Sequence, residues 1–110
     1  MKIEDREITL CGDVWKIKFT DELEGEDCDG DTEPMTRTIH IRKSNKFKIK
    51  NFEECQKHYL RHEIIHAMLF SCGLAFNWKH DVWGHDETFI DWFALNYAKI
   101  KKVYEELECE

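Results

Sequence analysis

Residues 62–66 read His62-Glu63-Ile64-Ile65-His66, and this pentapeptide constrains the chain more than any other stretch. Two histidines four apart on a helix lie on one face about one turn apart, close enough to share a single tetrahedral Zn²⁺. Glu63 follows the first histidine and so points to the side of the metal, where it can take a proton from a water held there. Chance writes His-Glu-x-x-His in roughly 4 of 100 shuffled chains of this composition, so the setting of the motif has to carry weight.

The setting is helical. Asn51 suits a helix N-cap, with Glu54 at the capping-box position, and residues 52–71 suit the helix that follows. Gly73 is a natural C-terminal stop. Ile64, Ile65, Met68, Leu69 and Cys72 form its apolar side, while His58, His62 and His66 form a stripe along another. His58 then belongs at the rim of a cleft.

Ahead of that helix the period changes to two. Residues 7–11 and 14–20 are short runs joined by the turn-forming pair Gly12-Asp13. In the second, Trp15, Ile17 and Phe19 alternate with Val14, Lys16 and Lys18, which predicts a half-buried strand. Residues 21–33 are dominated by acids and predict a solvated loop. The string Asp27-x-Asp29-Gly30-Asp31 lacks the glycine and glutamate spacing of a calcium-binding EF-hand loop. Residues 36–43 alternate again around Ile39 and Ile41, a third strand whose basic flanks suit a sheet edge. An edge beside a metal is also where an extended peptide could add as a further strand.

After Gly73 comes an aromatic-rich connection over residues 74–85. Asp86 can then cap a second helix running to about Glu108. Phe89, Phe93, Tyr97, Ile100, Tyr104 and Leu107 recur at threes and fours and predict its buried face. The four tryptophans are assigned to the core. The expected architecture is α+β and zincin-like: a three-stranded antiparallel sheet packed on the motif helix, closed by a long C-terminal helix, in one domain spanning residues 1–110.

A catalytic zinc takes three protein ligands and leaves one position for water. The candidates past His66 are His80, Asp81, His85, Asp86, Glu87 and Asp91. The long form of the motif needs Gly at 69 and His at 72; Leu69 and Cys72 exclude it. A carboxylate opening the second helix is the other solution, and Glu87 or Asp91 could equally be first-turn carboxylates favoured by the helix dipole. Asp91, one turn past Glu87, is placed to accept a hydrogen bond from the free ring nitrogen of a liganding histidine. His85 is the rival ligand; failing that, His85 or His80 could steady an oxyanion.

His62-Glu63-Ile64-Ile65-His66-Ala67, then Gly73-Leu74, then Glu87 with Phe93-Ala94 resemble the ImmA/IrrE-type and related phage-encoded small metallopeptidases, a gluzincin-like family. The resemblance covers residues 52–98 and implies zinc ligands at His62, His66 and Glu87, with Glu63 as general base. It departs at Asp91, where the family commonly has Asn, and in lacking the additional domain that many relatives carry.

The implied function is zinc-dependent hydrolysis of peptide bonds in a peptide or protein substrate. The competing expectation is a non-catalytic interaction or regulatory protein that keeps zinc for folding, with a fourth protein ligand such as His85 or a cysteine closing the site. Composition narrows the partners. With 16 basic against 23 acidic residues the net charge is −7, a poor match for the phosphate backbone, so nucleic acid is not expected. No apolar run approaches the length needed to cross a bilayer, and the charged N-terminal residues rule out a signal-peptide core. Cys11, Cys28, Cys55, Cys72 and Cys109 are odd in number and scattered, which predicts free thiols and a cytoplasmic address.

Overall fold

Two strands joined by a tight turn begin the chain: β1 (Arg6–Leu10) and β2 (Asp13–Thr20) pair antiparallel. The turn is made by Cys11 and Gly12, both at positive φ, 50° and 85°. The computed structural model describes residues 1–24, 29–73 and 87–110. It continues with β3 (Gly30–Glu33), β4 (Thr38–Arg42), helix α1 (Phe52–Cys72) and helix α2 (Glu87–Leu107).

The fold is α+β, but among the described residues the sheet has four strands rather than three and is mixed rather than antiparallel. Its order is β1-β2-β4-β3, with β4 parallel to β2 and β3 antiparallel to β4. β4 is therefore interior, and the edges are β1 and β3. The acidic stretch expected to be a loop supplies the extra strand. Its acids conceal it because β3 turns Asp31 and Glu33 to solvent and offers only Gly30 and Thr32 to the helix side. Period-two alternation identifies a strand's faces, not its neighbours or its direction, so β4 is interior despite the basic flanks that suit an edge.

Registry puts Ile8, Leu10, Trp15, Ile17, Ile39 and Ile41 on one face of the sheet, and all are buried. Against them α1 lays Leu60, Ile64, Ala67 and Met68. Burying a side chain such as Ile64 stabilises by about 1.5–3 kcal/mol. Trp15 also donates its indole N–H to Ser71 Oγ at 2.8 Å, tying the sheet to the end of α1. On the opposite face, Arg42 is buried and donates to the carbonyls of Asp21 and Leu23, at 3.3 and 3.2 Å, with its guanidinium over the Phe47 ring. Asp21 accepts the Ser44 N–H at 2.9 Å, and that bond holds its carboxyl below the usual range.

α1 starts and stops where expected, but by a different start. Asn51 is left-handed, φ 56°, and its side chain makes no capping bond; its carbonyl accepts the Cys55 N–H at 3.1 Å. Glu54 reaches forward to Lys57 instead of back to a cap. Gly73, φ 84°, ends the helix as expected.

α2 buries Trp92, Asn96, Ile100, Val103 and Leu107. The face expected from Phe89, Phe93 and Tyr97 is instead exposed, with Phe89 stacked on Phe93 at 6.1 Å and Tyr97 tilted against Phe93 at 5.9 Å. Two apolar stripes run side by side on this helix, sharing Ile100 and Leu107, and periodicity alone does not choose between them. Trp15 and Trp92 are core residues, as expected. The far end of α2 is clasped to α1: Tyr104 donates its hydroxyl to the Arg61 carbonyl at 3.0 Å, and Arg61 donates to the Cys109 carbonyl at 2.8 Å. Burial there pushes the Tyr104 hydroxyl up to about 12 and the Cys109 thiol up to about 11, so that buried thiol stays protonated at neutral pH.

The thiols differ from expectation. Cys11, in the β1–β2 turn, and Cys72, the last residue of α1, form a disulfide with a Cα–Cα distance of 6.5 Å. Scattered spacing in the sequence hid a pair that the fold brings together across 61 residues. The pair removes the cysteine-based argument for a reducing compartment. Cys55 and Cys109 are free. Among the described residues, no helix is long and apolar enough to cross a membrane.

Candidate metal centre

The motif occupies the middle of α1, and the helix divides its residues between two directions. His62 and His66 are exposed, and their Nε2 atoms approach to 3.2 Å with rings edge to face. Two imidazole nitrogens on one tetrahedral Zn²⁺, each about 2.0–2.1 Å from the metal, stand about 3.3–3.4 Å apart. The pair therefore has the span that a shared ion requires. His58, one turn earlier, is exposed and packs edge-on against Tyr59, itself followed by His62.

Glu63 lies about 100° round the helix from His62 and is buried, with 6% of its surface exposed. Its carboxylate accepts the Thr32 hydroxyl at 2.5 Å. The same Thr32 oxygen is 3.1 Å from the Glu63 carbonyl. Two residues earlier on the strand, Gly30 gives the side chain its room: a Cβ there would come within 3.1 Å of Glu63 Cγ and 3.0 Å of the His40 carbonyl. Edge strand β3 is thus pressed against the motif through its two smallest helix-facing positions.

Thr32 and Gly30 are the site residues that sequence reasoning missed. The one available signal was a β-branched residue inside the acidic run, too weak to mark a strand. On the outer face of β3, Asp31 bonds His40 Nδ1 of β4 at 2.7 Å.

Glu87 and Asp91 open α2 with exposed side chains. Among the described residues, no third His, Cys, Asp or Glu joins His62 and His66 in a group able to hold a metal. The structure brings His62 and His66 together, turns Glu63 toward β3, and adds neither Glu63 nor Glu87 to the pair. His80, Asp81, His85, Asp86, Cys28 and the aromatic connection lie outside the described residues, as does part of the acidic string considered for calcium. A cavity of about 100 Å³ lies elsewhere, lined by Met1, Arg6, Ile17, Phe19, Leu60 and Leu107 among others, and includes no residue of the motif.

No protein-family model matches this chain, and no curated protein or solved structure matches it either.

Proposed function

We propose that the chain is a zinc-dependent metallopeptidase of the small ImmA/IrrE-like kind that its motif resembles, with Glu63 as general base. The observation that carries this reading is the division of labour on α1. Two imidazole nitrogens meet at 3.2 Å on the exposed side, and the residue after the first histidine, Glu63, buries its carboxylate against a sheet edge.

His62 and His66 would hold the ion, and Zn²⁺ in that position supplies an acidified water and a polarised carbonyl. Glu87 is the proposed third donor, on the pattern of Glu87 with Phe93-Ala94, and Asp91 one turn on is its hydrogen-bonding support. His85 is the rival donor. Glu63 does the proton work: its carboxylate takes a proton from the attacking water and passes it to the leaving amine. An extended substrate has a place to lie. Among the described residues β3 pairs with β4 on one side only, so a peptide could add along its other side, next to Thr32 and Glu63.

Zinc titration of the metal-free protein tests the ligand set. One ion should bind per chain, and His62→Ala or His66→Ala should abolish it. Glu87→Ala should weaken binding far more than Asp91→Ala, for which a loss of roughly 10–100-fold in affinity or activity is expected. If His85→Ala strips the metal while Glu87→Ala does not, the third donor is His85. A folded chain that takes up no zinc would end the reading.

A further inference from the structure

We infer that Thr32 is the positioning residue for Glu63, an inference that rests on the peptidase reading and adds a part to it. A general base works only when its oxygen is held within hydrogen-bond reach of the proton it takes. A glutamate side chain has three torsions to fix. At Glu63 the fixing is done from β3 rather than from α1. Gly30 leaves room for the Glu63 methylenes, and Thr32, next on the same strand face, grips the carboxylate at 2.5 Å. Among the described residues no cation pairs with Glu63, so the hydroxyl is what orients it.

A hydroxyl suits this task better than a backbone N–H would. It has one proton to give and lone pairs to accept with, whereas an N–H can only donate. Thr32 Oγ1 has two acceptors in reach, the Glu63 carboxylate at 2.5 Å and the Glu63 carbonyl at 3.1 Å. While Glu63 is ionised, the hydroxyl proton points at the carboxylate. When Glu63 carries the proton taken from water, the hydroxyl turns its own proton to the carbonyl and accepts from the carboxylic acid. The grip survives both halves of the cycle, and the proton remains on Glu63 until the leaving amine receives it. Because Thr32 lies on the edge strand, the same residue sets the distance between the base and a peptide docked along that edge.

The test compares Thr32→Val, which keeps shape and removes the hydroxyl, with Thr32→Ser, which keeps the hydroxyl. Thr32→Ala stands in should valine disturb the packing. With zinc-loaded protein and a quenched fluorescent peptide library, valine should lower kcat by about 10-fold or more while KM and zinc affinity stay near wild type, and serine should restore most of the loss. A second readout needs neither metal nor substrate: side-chain NMR of Glu63 in the metal-free chain should show one rotamer in wild type and in the serine variant, and averaging in the valine variant. If the wild type hydrolyses no peptide, the peptidase reading fails, and the rotamer comparison still decides whether Thr32 holds Glu63. A valine variant with the wild-type Glu63 rotamer and kcat, or a serine variant as impaired as valine, would overturn the inference.

Discussion

Gln56 and Glu63 sit two helical turns apart on α1, both polar, both buried, and both partnered from the sheet. Gln56 donates its amide to the carbonyls of Arg42 and Lys43, at 3.0 and 3.2 Å, where β4 ends. Glu63 accepts from β3. Together they fasten the helix along the outer half of the sheet, one at each end. Gln56→Leu would keep the packing volume but strand those two carbonyls, and it should cost about 1–3 kcal/mol in urea unfolding. An unchanged midpoint would mean that water reaches them. Neither residue is legible as part of the buried face, because apolar periodicity marks only apolar positions. That periodicity marks Ile64 and Met68, and Leu60 and Ala67 complete the stripe. His62 and His66 needed no such help, since the four-residue spacing dictates their convergence on any helix.

Elements were legible in proportion to how local their signals are. α1 was readable from its stop glycine and its length, and β2 from its alternation. β3 was not, because an edge strand that meets its helix through glycine and threonine has no apolar alternation to show. Nor was the parallel pairing of β2 with β4 readable, since it depends on the chain running out to β3 and back through residues 34–37. The Cys11–Cys72 bond is of the same non-local kind. It links the β1–β2 turn to the last residue of α1 and closes a span of 61 residues. By loop entropy such a link is worth about 4 kcal/mol. Reducing the native protein should therefore free two thiols and lower Tm by several degrees, and Cys72→Ser should remove that difference. A melting temperature indifferent to reductant would show that the bond contributes no stability.

The whole molecule places the candidate centre at the margin of its core. Sheet and α1 bury Ile39, Ile41, Ile64 and Met68 between them, and α2 closes the arrangement with Ile100 and Leu107. The candidate centre lies where α1 meets edge strand β3, so the carboxylate is buried while the histidines face outward. In the proposed peptidase one side chain would move protons while two others hold an ion, and Glu63→Gln separates the two proposed functions. Glutamine keeps the size of the side chain and its hydrogen-bonding end but removes the basic oxygen pair. The measurement is zinc content and peptide hydrolysis of Glu63→Gln beside wild type, in the same preparation. A peptidase predicts that the variant keeps one zinc and its thermal stability while hydrolysis falls by about 10²–10⁴-fold, the range of a general base. Wild-type protein that holds zinc, hydrolyses nothing, and exerts a biological effect that survives Glu63→Gln would contradict the account and favour a zinc-stabilised binding protein.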